Sequence, residues 1–274
     1  MAYASDTVTP TTLGTSTDEK RLNSDSPIQV PDGINNIVSA IPYYCPTGVF
    51  TPDESYLTRV RLQSNDISVE PCRFMMSGVN TGDAAFASVQ APILQEYNLN
   101  IPNANGANIN VYGQSLVANT AAVFLGCELV YSTSSTGQQQ YWNTPDSIST
   151  GGTTIDTRTT LNTITITDGR EITSLGMVVT PTTAAASTHD VGEAEFTSSD
   201  FQVPFPYKFP IAPSFSGLGS AAAQLTNPNG LSRQKFPAGH GIPLAPRALI
   251  NSFYTNRDAK GVGSKVVPFL SFTR

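Results

Sequence analysis

Histidine is nearly missing from this chain of 274 residues: only His189 and His240 occur. Any site that needs three, such as a three-histidine zinc or a cupin-type metal centre, is thereby excluded. Charge is scarce as well. Asp, Glu, Lys and Arg make up 13 % of the chain, against a usual share of about 25 %. The polarity comes from Ser, Thr, Asn, Gln and Gly instead. Such surfaces bury against other subunits without stranding ions, although a loop-rich β protein with polar turns has the same composition. No run of 18 apolar residues occurs, so no helical membrane span is expected. The segment MAYASDTVTPTTLGTSTDEKRLNSDSP has neither a basic start nor an apolar stretch. It does not read as a signal peptide, and residues 1–26 are expected to form a flexible arm. Cysteine is limited to Cys45, Cys72 and Cys127, with no CxxC. The three are expected to be reduced, buried and inert, a Cys45–Cys72 bridge being the alternative.

Aromatics are present in number, ten Tyr and thirteen Phe, so the chain is expected to fold. Short strand patterns follow one another. SYLTRVRLQS alternates Tyr56, Thr58, Val60 and Leu62 with Leu57, Arg59 and Arg61. AAVFLGCELVYS is a nearly continuous apolar run, as in a strand buried on both faces. In LNTITITDGREITSLGMVV, Ile164 and Ile166 oppose Thr163, Thr165 and Thr167, and Asp168-Gly169 then reads as the type I′ turn of a β-hairpin. The second strand of that hairpin carries Ile172, Leu175, Met177 and Val179. GDAAFASVQ and APRALINSF, the latter with Pro246 near its first turn, are the best candidates for short helices. Residues 132–152, STSSTGQQQYWNTPDSISTGG, read as a polar linker or long surface loop.

Many short strands at intervals of about 8–12 residues predict an all-β sandwich or barrel. Residues 27–131 and 153–274 are each the size of an eight-stranded jelly roll, which gives a double jelly roll of two antiparallel barrels. The alternative is a single jelly roll with long insertions.

Motifs of catalysis are weak. HDVGEAE brings His189, Asp190, Glu193 and Glu195 together in sequence, and Glu193 and Glu195 share one face of a strand. Two such carboxylates suit a divalent ion or acid–base work, but they equally make a solvated strand face. His240, in PAGHGIPLAP, reads as a loop residue. No G-x-S-x-G, P-loop or dinucleotide fingerprint occurs. No catalytic residue, cofactor site or metal site is therefore assigned. Trp142 either docks a ligand or pins its loop.

Charge is unevenly divided. Residues 231–274 hold seven Lys and Arg against Asp258 alone, a net +6, while residues 1–230 hold eight basic and twenty acidic residues, a net −12. Arg257, Lys260 and Lys265 in YTNRDAKGVGSK are the candidates for contact with phosphate or anionic lipid. No aromatic residues interleave with them for base stacking, and no sequence-specific nucleic-acid binding is expected.

The polar arm, the low charge, two barrels' worth of strands, the Pro-rich connections and the missing catalytic set together resemble a viral capsid protein of the jelly-roll type. More narrowly, the chain resembles the small double-jelly-roll major capsid proteins of tailless icosahedral viruses with an internal membrane. This resemblance implies a non-enzymatic structural protein, made in the host cytoplasm and located in the virion shell. It implies homotrimeric capsomers that contact neighbouring capsomers and minor capsid proteins. It also gives the basic C-terminal segment a partner in the lipid of the internal membrane. The alternative is a receptor- or glycan-binding lectin-like spike module built around Trp142. A hydrolase using Glu193 and Glu195 is the third reading.

Overall fold

The computed structural model describes residues 2–8, 19–23, 26–46, 55–70, 72–79, 96–116, 123–134, 137–181, 188–189, 191–201, 206–211, 215–216, 231–258 and 263–274. All regular structure among them is strand. The first half supplies β1 (Ala2–Val8), β2 (Lys20–Arg21), β3 (Ile28–Gln29), β4 (Asn36–Pro46), β5 (Ser55–Gln63), β6 (Cys72–Val79), β7 (Tyr97–Pro102), β8 (Asn108–Ser115) and β9 (Val123–Ser132). The remainder supplies β10 (Tyr141–Asn143), β11 (Ser149–Gly151), β12 (Arg158–Thr160), β13 (Ile164–Ile166), β14 (Glu171–Pro181), β15 (Thr188–His189), β16 (Gly192–Thr197), β17 (Tyr207–Ile211), β18 (Phe215–Ser216), β19 (Leu231–Lys235), β20 (Ile242–Pro243), β21 (Ala248–Asn256) and β22 (Ser264–Thr273).

These strands form several sheets. One runs β1-β9-β4-β7, and a second runs β12-β21-β16-β17 with β13 beside β21. The largest runs β19-β14-β22-β10-β6-β5-β8-β2, and β15 pairs with β18. The architecture is all-β and jelly-roll-like, and no sheet closes into a barrel among the described residues.

One strand pair occurs twice. β4 pairs antiparallel with β9 from Asn36↔Ser132 to Pro46↔Val123. β14 pairs antiparallel with β22 from Glu171↔Thr273 to Pro181↔Ser264. Each pair slips register at the same place, between Ile37 and Ser39 in the first and between Ile172 and Ser174 in the second. Such a bulge puts two residues opposite one and reverses the side-chain phase beyond it. Beyond it every residue from Ser174 to Thr180 is buried, so β14 is covered on both faces. Aligned on the bulge, NIVSAIPYYCP and EITSLGMVVTP share Ile, Ser and the final Pro. In both pairs an aromatic ring also lies across a glycine of the facing strand, Tyr43 over Gly126 and Phe269 over Gly176.

Asp168-Gly169 does not form the expected hairpin turn. β13 pairs with β21, whereas β14 pairs with β22, β19 and β20, so the two strands belong to different sheets. Neither Asp168 nor Gly169 has the positive φ that a type I′ turn demands. The chain arches from one layer to the next, and the arch requires glycine for want of space. A Cβ at Gly169 would lie 2.6 Å from Ile166 Cγ2 and 3.0 Å from Leu244 Cδ1. The alternation itself is as expected: Ile164 and Ile166 are buried, and Thr163, Thr165 and Thr167 are exposed.

Other expectations shift in the same way. APRALINSF is not helical: Ala248, Ile250, Ser252 and Tyr254 alternate inward along β21, so the period is two. GDAAFASVQ lies outside the described residues. Within the expected arm, residues 2–8 run along β9 and Lys20–Arg21 along β8. Within the polar stretch 132–152, β10 inserts between β22 and β6, pairing with β6 at Trp142 and Cys72. A line of rings crosses there from one half to the other. Phe74 to Tyr97 spans 4.9 Å between centroids, Tyr97 to Trp142 4.8 Å, and Trp142 to Phe269 6.2 Å. All four are buried in one continuous apolar core.

Candidate functional site

Sequence placed Glu193 and Glu195 on one face of a strand, and β16 does so. Its neighbours decide their chemistry. β12 and β21 bring Arg158 to Glu195, with guanidinium–carboxylate distances of 2.8 and 3.2 Å. β17 brings Lys208 Nζ to 3.3 Å from Glu195 and 3.4 Å from Glu193. Arg257, just past β21, reaches Glu193 at 3.2 Å and Asp156 at 2.6 Å. The result is an alternating chain from Arg158 through Glu195, Lys208, Glu193 and Arg257 to Asp156. Its cations and anions balance. The Arg158 guanidinium also stacks 3.4 Å over the Phe253 ring. The Arg158 hydrogen bond holds the buried Glu195 carboxyl below its ordinary pKa, with Lys208 acting in the same direction. A carboxylate held ionised by two cations is a poor general acid, and one with its lone pairs filled is a poor metal ligand.

The basic candidates separate. Arg257 is committed to Asp156 and Glu193, which push its pKa up. Lys265 lies on β22, half-buried, with its ammonium pKa lowered by that burial. Lys260 and Asp190 lie outside the described residues, and of His189 only the backbone pairing with Phe215 is described. His240 is exposed in a loop, its N–H donating to Pro237. Trp142 is 2 % exposed, and its indole N–H donates to the Asn98 carbonyl at 2.8 Å. It pins its segment and presents no face to a glycan. Cys72 and Cys127 are free and buried, which removes the Cys45–Cys72 bridge. Burial raises both thiol pKa values, that of Cys72 to about 12, so neither is a nucleophile near neutral pH. Among the described residues no group of three or more His, Cys, Asp or Glu can hold a metal ion. Nor is any helix there long and apolar enough to cross a membrane.

Sequence did not indicate the seam between the halves. A groove of about 430 Å³ runs along it, with Thr163, Thr165 and Thr167 on one side and Arg73, Glu70 and Arg274 on the other. Asn143–Asp146 also line it. Asp146 accepts from Arg73 at 2.7 Å and from Arg59 at 3.4 Å. Arg59 is itself buried and donates to Gln114 Oε1 at 2.6 Å and to the Pro145 carbonyl at 3.2 Å. Burial lowers its pKa, the repulsion of Arg73 coming second. Arg61 is clasped by Glu19 at 2.7 Å and Glu70 at 2.6 Å. Arg274 donates to Ser68 and to the Glu70 carbonyl, joining β22 to the first half. The bonds from Arg59 and Arg73 to Pro145 and Asp146 tie the connecting segment to the first half.

No family model and no curated protein matches the chain. Solved structures resemble it in architecture. The STIV MCP, a jelly-roll viral major capsid protein, is similar over 100 % of this chain and 97 % of its own, at 10 % identity and a TM-score of 0.41. Infectious bursal disease virus, Gx strain, gives 99 % and 70 % coverage, 12 % identity and a TM-score of 0.28. The mosquito-larvicidal Cry4Aa toxin from Bacillus thuringiensis gives 96 % and 59 %, 10 % identity and 0.28.

Proposed function

We propose that this chain is a structural shell protein of a virus. In this reading two jelly-roll units, 27–131 and 153–274, are joined through 132–152, and they self-assemble as trimeric capsomers. The observation that carries it is the recurring strand pair, β4–β9 and β14–β22, with one bulge position and one aromatic-over-glycine contact in each. Two like units fixed side by side through a common core make a stiff block, and a wall needs stiff blocks more than it needs a reactive site. The conspicuous carboxylates are bound up in ion pairs, and the outer face of β13 presents threonines. Such a surface can be buried repeatedly at about 800 Å² per partner without desolvating unpaired charge. Closed symmetry then multiplies modest contacts.

Light scattering with negative-stain imaging of the purified chain near neutral pH tests this. Trimers, sheets or shells are the expected result, and a monodisperse monomer overturns it. The lipid-facing role belongs to the same proposal and rests on Lys260 and Lys265, because Arg257 is already paired. Charge reversal at both lysines is expected to lower the lipid content of particles. Unchanged yield and lipid content would remove that partner.

A further inference from the structure

A second, smaller pocket of about 80 Å³ lies on the same seam, behind Trp142. The edge strand β19 puts Arg233 and Lys235 on it at i, i+2, and so on one face. Neither has an ion-pair partner among the described residues, and no carboxylate lines the pocket. Arg233 rests on the Trp142 indole face, 5.3 Å from its centroid. The two cations feel each other: repulsion by Arg233, and then burial, lowers the Lys235 pKa. Opposite them stands a group of hydroxyls. Ser271 Oγ is 2.7 Å from Thr173 Oγ1 and 2.6 Å from Ser174 Oγ. Three hydroxyls have three protons, and the two contacts between them use two, so one O–H is free to donate into the pocket. An unanswered pair of cations beside a spare donor is the complement of an anion with several acceptor oxygens. The volume is far under the roughly 300 Å³ at which sites for organic ligands begin.

We propose that this pocket binds one small tetrahedral oxyanion, a phosphate or sulfate group, held by Arg233, Lys235 and the Ser271 hydroxyl cluster. The site is composite: Asn98 comes from the first half, Trp142 from the connecting segment and the cations from the second half. The inference does not depend on the shell reading.

Trp142 is the single tryptophan of the chain, so its emission reports on the site. Inorganic phosphate at constant ionic strength is expected to change that emission saturably, whereas chloride is not. R233Q/K235Q is expected to weaken the response at least about tenfold. R170Q, an exposed arginine elsewhere, is expected to leave it unchanged. R233K, which keeps the charge and loses the fork, is expected to weaken it less and guards against misfolding of the double variant. Vesicles of phosphatidylglycerol and phosphatidylcholine in phosphate-free buffer form the second arm. A response to vesicles alone assigns the oxyanion to a lipid headgroup, and a response to inorganic phosphate assigns it to a free anion. No response in either arm, or a response unaltered in R233Q/K235Q, overturns the proposal.

Discussion

Glu195 is ionised because β12 and β17 deliver Arg158 and Lys208 to a position the core has nearly sealed. Its folded pKa lies below the ordinary 4.5, so the folded state binds its proton less readily than the unfolded state does. The stabilisation is therefore present above that ordinary value and is lost as pH falls through the depressed one. Acid titration of unfolding free energy is expected to show this loss in the wild type, and to lack this component in Glu195→Gln. At neutral pH the same substitution is expected to cost about 2 kcal/mol, the scale of a hydrogen bond to a charged group. Sequence placed Glu193 and Glu195 on one face, because strand alternation is local. It could not supply Arg158, Lys208 or Arg257, which arrive through the register of three other strands.

The arch at Asp168-Gly169 marks where local reading stops. Ile164 and Ile166 against three threonines defined a strand, and Asp-Gly suggested how it should turn. Which strand it joined depended on β21, more than eighty residues later in the chain. Space, and not positive φ, accounts for the glycine. The same holds in β14, where a Cβ on Gly176 would meet the Phe269 ring. Gly176→Ala is expected to cost about 1–3 kcal/mol by overpacking, measured by chemical denaturation. The recurrence of the β4–β9 pair in β14–β22 was within reach of the sequence, since Ile, Ser and Pro stand at equal offsets in both strands. Three shared residues in eleven carry little weight until the common bulge shows that the phase changes at the same point.

For the whole molecule, one apolar core runs through both halves by way of Phe74, Tyr97, Trp142 and Phe269. The two halves of the chain are expected to melt in a single calorimetric transition, with calorimetric and van't Hoff enthalpies in agreement. Trp142→Ala removes the middle ring and the hydrogen bond to Asn98. It is expected to cost about 3–5 kcal/mol and to split the transition in two. The polar letters around YWN hid this joint, because a buried three-residue strand leaves too short a pattern to detect. The pairing of β1 with β9 adds a constraint of time. β1 ends at Val8, and its partner begins only at Val123. At about 5–20 residues per second, a growing chain carries its first strand unpaired for several seconds before β9 emerges. During that interval residues 2–8 are an open strand in a crowded cell. Only when Val123–Leu129 emerge does the growing chain offer residues 2–8 the edge with which they pair.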